Sequence, residues 1–118
     1  MADNRVPLDA GAKFDGEKIR WDLMPDDALE ETAKVYTLGA SKYEDRNWEK
    51  GISYMRIVAA LKRHLNAWVR GEKYDSDNGQ PHLASVVWNG LTLLSYELRN
   101  MIEFDDRPRA AFYKEKNG

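Results

Sequence analysis

Three acidic residues near the start of a helical segment have the types and spacing needed to hold a metal ion. Glu30 and Glu31 follow Asp27 by three and four positions, so on a helix the three carboxylates share one face. Converging carboxylate oxygens are the ligands that hard cations such as Mg²⁺ prefer in proteins. An exposed, solvated helix face is the alternative interpretation of this pattern.

A second acidic group occupies a polar stretch that contains an Asn78-Gly79 turn signal. Glu72, Asp75 and Asp77 are close enough in the sequence to place several oxygen ligands around Mg²⁺ or Mn²⁺. Such a site would leave coordination positions open for water and phosphate. The alternative is a polar loop that binds no metal.

The two histidines are further candidates in a chain that has no cysteine. His64 shares the apolar side of a helix with Leu61 and Trp68, where a histidine is more often a hydrogen-bonded core residue than a ligand. His82 begins a polar stripe along an otherwise apolar helix, and buried polar groups of this kind need partners. The stripe therefore predicts a ligand cavity or a polar seam between subunits. It continues with Ser85, Asn89 and Thr92.

Cationic, amide and aromatic residues suited to a nucleotide follow the first acidic group. They lie in the connection before the second helix, where they can bind phosphates and stack on a base. On the second helix, Arg63 is the basic residue that we single out beside His64, although a solvated basic face is the alternative there. A packed, purely structural Trp48 is the alternative in the connection. The candidate residues in the connection are Lys42, Tyr43, Asn47, Trp48 and Lys50.

Three helices are predicted to position these residues. The first is predicted over residues 26–38 and is expected to end at Gly39. The second is predicted over 53–70 with Ser53 as its cap, and the third over 81–102. No stretch of useful length alternates in the manner of a β-strand, so the sequence predicts an all-α fold.

The third predicted helix is apolar around most of its circumference, which one small domain cannot easily cover. We therefore expect a bundle of about three main helices that is completed by subunit association. The expected assembly is a homo-oligomer, either a dimer or a tetramer. The apolar residues are Leu83, Val86, Val87, Leu91, Leu94, Leu98 and Met101.

Length, charge and hydropathy indicate the number of domains and the location of the protein. The length of 118 residues fits one domain. The formal charge of −2 lacks the basic excess typical of proteins that bind nucleic acid stably. No stretch resembles a signal peptide or a membrane span, so we expect a cytoplasmic protein. We expect an N-terminal arm over 1–25, a helical catalytic domain over 26–104 and a charged tail over 105–118.

Two long segments of the sequence resemble a known family. They read KFDGEKIRWDLMPDDALEETAKVYTLGASKYEDRNWEKG and RHLNAWVRGEKYDSDNGQPHLASVVWN. Together they resemble the phage and bacterial dATP/dGTP diphosphohydrolases, relatives of MazZ, over roughly residues 12 to 97. The resemblance implies the all-α fold of MazG-like nucleoside triphosphate pyrophosphohydrolases, in which helices from two subunits build each site and divalent metals bind glutamates and aspartates.

The resemblance also implies which acids hold metal. The MazG-like pattern has an E-x-x-E pair on one helix and an E-x-x-D pair on the next. Here the first resembles Asp27-x-x-Glu30 with Glu31 adjacent, and the second resembles Glu72-x-x-Asp75. His64 or His82 would replace a carboxylate where this chain departs from that pattern.

The expected reaction converts dATP or dGTP to the monophosphate and pyrophosphate, in remodelling of the nucleotide pool during phage infection. Mg²⁺ or Mn²⁺ would activate the attacking water, with Glu30, Glu31 and His82 as catalytic candidates. Release of inorganic triphosphate is the enzymatic alternative, and a non-catalytic oligomeric interaction module is the other. The expected substrate-binding residues also include Lys18, Arg20, Lys34, Arg63, His64 and Asn89.

Overall fold

The computed structural model describes residues 11–14 and 16–109. Within these residues the fold is all-α, as predicted, and the only β-type pairing is an isolated antiparallel bridge between Tyr74 and Pro81. The outer parts of the predicted arm and tail, 1–10 and 110–118, lie outside the described residues. The helices are α1 Asp26–Lys42, α2 Tyr54–Val69 and α3 His82–Leu98, with 3₁₀ turns at Trp21–Leu23, Asn47–Lys50 and Ile102–Phe104.

The predicted end of the first helix is wrong, because α1 continues through Gly39 to Lys42. Glycine inside a helix costs only about 1 kcal/mol relative to alanine, so packing overrides it. A Cβ built on Gly39 would meet nothing within 4 Å. The extra turn brings Lys42 and Tyr43 to the space between the helices.

The predicted end of the third helix is also wrong, since α3 stops at Leu98 and not near Ile102. Asn100 adopts a left-handed conformation with φ of 55°. Its N–H donates to the Glu97 carbonyl at 3.1 Å, and the Met101 N–H donates to the Tyr96 carbonyl at 3.0 Å. These two bonds form a Schellman motif, which closes the helix with asparagine in the place usually taken by glycine.

Helix α2 begins after Ser53 as predicted, but the serine side chain does not cap it. The Ser53 hydroxyl donates instead to Asp106 Oδ2 at 2.5 Å. Asp106 Oδ1 accepts the N–H of Met55 at 2.9 Å, in the first turn of α2. A carboxylate more than fifty residues away in the sequence therefore satisfies the exposed end of this helix.

Loss of this carboxylate is expected to lower the melting temperature at neutral pH. Hydrogen bonds from Ser53 and the Met55 backbone hold the pKa of Asp106 below its ordinary value of 3.8. A carboxyl with a depressed folded-state pKa stabilises the fold above its unfolded pKa and loses that effect as the pH falls through the folded pKa. The difference in melting temperature between Asp106→Ala and the wild type should therefore shrink as the pH falls below 3.8.

The conservative variant Asp106→Asn keeps an acceptor oxygen but not the charge, so its melting temperature should lie between the other two. A difference between wild type and Asp106→Ala that does not change with pH would contradict a charged cap.

The core lies between α2, α3 and the connection that follows α1. Tyr54, Ile57 and Tyr96 are buried at its centre. The Tyr96 hydroxyl donates to the Trp48 carbonyl, so α3 fixes the connection that carries Trp48. The surrounding partly buried apolar residues are Trp48, Ile52, Leu93, Met101 and Phe104.

An apolar stripe remains exposed along α3, in agreement with the expectation that one chain cannot cover this helix. Its members are spaced by three or four residues and so share one face, which we call the α3 stripe. No described helix has the combination of length and apolar character needed to cross a membrane. The subunit that would cover the stripe remains a prediction. The stripe consists of Leu83, Val87, Leu91, Leu94 and Leu98, each 39–74% exposed.

Candidate functional site

The two histidines of the chain meet where α2 faces the start of α3. His64 Nδ1 lies 2.9 Å from His82 Nδ1, and Asp75 Oδ2 lies 3.9 Å from His64 Nδ1. One potential ligand atom from each of the three residues lies within 4.8 Å of the other two. We call these residues the His–Asp cluster. The sequence identified each residue as a candidate but gave no sign that the two imidazoles would touch.

The loop between α2 and α3 positions the carboxylate of this cluster. Gly71, with φ of 102°, closes α2, since its N–H donates to the Trp68 carbonyl and the Glu72 N–H donates to the Ala67 carbonyl. Asp75 Oδ1 then accepts the Asp77 N–H at 2.9 Å. This local bond orients the carboxylate and leaves Oδ2 as the oxygen near His64.

Burial favours the neutral form of His64. It lowers the pKa of His64 below 6.5, with Asp75 acting in the opposite direction and His82 and Arg63 acting in the same direction. The short contact between the two Nδ1 atoms requires that one ring donates and the other accepts. A neutral His64 therefore presents an imidazole capable of binding a proton or a metal ion.

His82 is almost fully enclosed, with 6% of its surface exposed. Its second ring nitrogen, Nε2, is buried and makes no hydrogen bond among the described residues. The nearest carboxylate oxygen that faces it, Glu72 Oε2, lies 3.4 Å away, outside hydrogen-bond geometry. Glu72 is itself 60% exposed at its side chain, so it can adjust its position.

The polar stripe predicted on the third helix is confirmed as buried. It places His82 and Asn89 toward the neighbouring helices, with Thr92 bonded to the hydroxyl of Tyr36 on α1 at 2.9 Å. The Asn89 side-chain amide donates to the Ser85 carbonyl at 2.7 Å. The stripe therefore forms one wall of the space between α1, α2 and α3.

A polar cavity of about 260 Å³ opens into that space. The loop that bounds it is tied to α1, because Gln80 Nε2 donates to the Lys34 carbonyl at 3.1 Å. The wall of this cavity contains cationic, amide, imidazole and carboxylate groups. Its predicted site residues are Lys42, Tyr43, His64, Asp75 and Asn89.

An aromatic cavity of about 340 Å³ adjoins the polar one. The two share Gly39, Tyr43 and Trp88 in their walls. Tyr36 lies at ring-centroid distances of 5.4 Å from Trp88 and 5.9 Å from Trp48, so three aromatic rings form one side of this cavity. Asn47 is the predicted amide on its wall.

Several predicted residues line neither of these cavities. Arg63 lines a separate depression beside Trp88 and Asn89. Glu31 forms an exposed ion pair with Lys34 at 2.9 Å, and Arg20 pairs with Asp22. Lys50 pairs with Glu44. The others outside both cavities are Lys18, Asp27, Glu30, Glu72, Asp77 and His82.

The predicted carboxylate ligands do not gather into one metal site in a single chain. Among the described residues, the group with three potential ligands is the His–Asp cluster, and Asp75 is its one acid. Glu30 and Glu31 belong to no such group within this part of the chain. Their role as ligands stays a prediction that requires carboxylates from elsewhere, such as those of a second subunit.

Two comparisons with known proteins cover most of the chain. A protein-family model described as "dATP/dGTP diphosphohydrolase, N-terminal" matches residues 9–107. A protein of Salmonella phage PMBT28 named dATP/dGTP diphosphohydrolase is 33% identical over 97 residues, which is 82% of this chain. The aligned part is 33% of that relative, so this chain spans about a third of its length. No solved structure matches the chain.

Proposed function

This chain belongs to the dATP/dGTP diphosphohydrolase N-terminal family, as its sequence motifs indicate, and we propose that it hydrolyses purine deoxynucleoside triphosphates. The products are the deoxynucleoside monophosphate and pyrophosphate. The observation that carries this proposal is the junction of an aromatic cavity with a polar one that contains Lys42 and Asp75. A nucleotide has an aromatic base at one end and a charged triphosphate at the other.

The aromatic cavity is the proposed base site. Its volume of about 340 Å³ lies within the range of small-molecule sites, and its aromatic lining suits a purine ring. Trp48 is a fixed wall, because it stacks on Tyr96 and supports the Arg99 guanidinium at 5.0 Å from its ring centroid. Tyr43 is 71% exposed and can pack over a bound base. The Asn47 amide would provide hydrogen bonds to the base or sugar.

The polar cavity is the proposed triphosphate site. The Lys42 ammonium would bind phosphate oxygens there, and Asn89 would add an amide donor. Water attacks the α-phosphorus, the bond between that phosphorus and the oxygen bridging to the β-phosphate breaks, and pyrophosphate leaves. A divalent ion, Mg²⁺ or Mn²⁺, would neutralise phosphate charge and lower the pKa of the attacking water.

We place Glu30 and Glu31 in the active site of a homo-oligomer. Both lie on α1 outside the two cavities of their own chain, and Glu31 is partly exposed. Association through the α3 stripe would bury its five apolar residues and bring two copies of α1 into one assembly. Light scattering tests this association, and a monomer at micromolar concentration would oppose it.

Lys42→Ala is expected to lower kcat/KM for dATP or dGTP by about 10- to 100-fold, because it removes a phosphate-binding cation. Lys42 is exposed at the end of α1, so the melting temperature should change little. Lys62→Ala is the matched control, since Lys62 is exposed on α2 and lines neither cavity. Equal kinetics for both variants would remove Lys42 from the phosphate site.

The reaction itself is tested by product analysis. The purified protein is incubated with each dNTP and NTP in Mg²⁺ or Mn²⁺, and nucleotides and phosphates are separated by chromatography. Purine deoxynucleoside monophosphate and pyrophosphate in equal amounts would support the proposal. Inorganic triphosphate with free nucleoside would instead identify a triphosphohydrolase, and no turnover of any nucleotide would favour a non-catalytic interaction module.

A further inference from the structure

We propose that His64, Asp75 and His82 bind one divalent transition-metal ion, such as Zn²⁺ or Co²⁺, and that Glu72 orients His82 from outside the coordination sphere. This site has two imidazole ligands, whereas the Mg²⁺ site proposed for the reaction has carboxylate ligands. The proposal rests on the geometry of the His–Asp cluster and does not depend on nucleotide hydrolysis.

The spacing of the three ligand atoms fits a single ion. Two imidazole nitrogens at about 2.1 Å from a tetrahedral Zn²⁺ ion are about 3.4 Å apart. The two Nδ1 atoms are separated by 2.9 Å. Since all three ligand atoms lie within 4.8 Å of one another, a common point lies within about 2.8 Å of each. Separating the two imidazoles by about half an ångström, and moving each ligand atom inward by up to about 0.7 Å, would give coordination distances.

The surroundings of His82 include the kind of carboxylate that orients a metal-bound imidazole. A ligating histidine usually donates its second ring N–H to a carboxylate or carbonyl, which fixes its tautomer. Here the Nε2 of His82 is buried without a hydrogen bond, and Glu72 Oε2 lies 3.4 Å from it. With the proton on Nε2, the lone pair of Nδ1 points to His64. Glu72 is therefore a positioning residue for this site.

The donor set determines which class of ion binds. Two imidazoles and one carboxylate suit Zn²⁺ and its first-row neighbours, whereas Mg²⁺ prefers oxygen ligands throughout. Three protein ligands also leave coordination positions open for water or phosphate. His64 and Asp75 line the polar cavity, so those open positions face the same space as Lys42.

Metal binding is measured on the full chain, with the affinity tag removed because a histidine tag would add ligands. After dialysis against a chelator, Zn²⁺, Co²⁺ and Mg²⁺ are titrated separately by calorimetry in the absence of nucleotide. We expect one Zn²⁺ or Co²⁺ per chain, bound at least about 100-fold more tightly than Mg²⁺. His64→Gln and Asp75→Asn should each weaken Zn²⁺ binding by at least about 10-fold.

Asp77→Asn is the matched control, because it makes the same change of charge two residues along the loop without altering the cluster. It should retain Zn²⁺ binding. Circular dichroism verifies that each variant is folded. Glu72→Gln should weaken binding less than Asp75→Asn and restore part of what Glu72→Ala loses, since glutamine can still accept the His82 N–H.

Nuclear magnetic resonance of the wild type gives a measurement that needs no variant. The chain has only two histidines, so the ¹⁵N signals of both imidazoles can be followed directly. Zn²⁺ should shift the Nδ1 signals of both residues. Unchanged signals, or His64→Gln binding Zn²⁺ as tightly as the wild type, would overturn the proposal in favour of a metal-free hydrogen-bonded pair. Loss of nucleotide turnover alone would bear on the proposed function and not on this site.

Discussion

Gly51→Ala is expected to destabilise the folded chain by about 2–5 kcal/mol. Gly51 follows the turn Asn47–Lys50 and has φ of 101°, a conformation that alanine adopts only with strain. Its Cβ would also overlap the ring of Phe104, which packs against the core. Relief requires either the ring or the backbone to move, and the backbone N–H of Gly51 donates to the Trp48 carbonyl at 3.1 Å.

Urea denaturation at neutral pH measures this effect. Gly39→Ala is the control, because Gly39 lies inside α1, has no atom within 4 Å of a new Cβ, and gains helix propensity. It should stabilise the chain by up to about 1 kcal/mol. If Gly51→Ala and Gly39→Ala unfolded at the same urea concentration, the close approach of Gly51 and Phe104 would be incorrect.

Glu31→Gln is expected to lower kcat for purine dNTP hydrolysis by at least about 1,000-fold while leaving the fold intact. The variant removes one negative charge from the proposed metal-binding face of α1 but keeps the size of the side chain. In the single chain, Glu31 contacts Lys34 through an exposed ion pair. Such pairs contribute at most about 1 kcal/mol, so the melting temperature should change little.

Glu103→Gln provides the same chemical change at an exposed position outside both cavities. Steady-state kinetics with saturating metal should show wild-type kcat for this control. Full activity of Glu31→Gln would remove this carboxylate from the mechanism and would leave Asp75 as the main acid at the reaction site.

Helix positions were predictable from the sequence, and some helix ends were not. Helix α2 ends close to its predicted end at residue 70, because the left-handed conformation of Gly71 completes the hydrogen bonds there. Gly39 carries the same local signal, yet α1 passes through it and its missing side chain leaves space that both cavities share. Local propensity could not distinguish these two glycines, because the difference lies in tertiary packing.

The candidate site was predictable residue by residue but not as an arrangement. Imidazole and carboxylate chemistry singled out His64, Asp75 and His82. Their contact depends on how α2 packs against α3 and on the bonds that orient the Asp75 carboxylate, which helical periodicity does not encode. Tyr43, Asn47 and Trp48 were predicted from the sequence to bind a nucleotide, and all three line the aromatic cavity. Tyr36 and Trp88 of the same cavity were not, because they looked like ordinary apolar helix positions.

The bond from Asp106 to the start of α2 bears on where a stable fragment of this protein can be cut. A fragment that stops at Phe104 would contain all three main helices and the core, yet the N–H of Met55 would lose its acceptor. During synthesis on the ribosome, α2 likewise emerges without this acceptor, because Asp106 is made about fifty residues later. We therefore expect an expression fragment that includes Asp106 to be more stable than one that stops at Phe104.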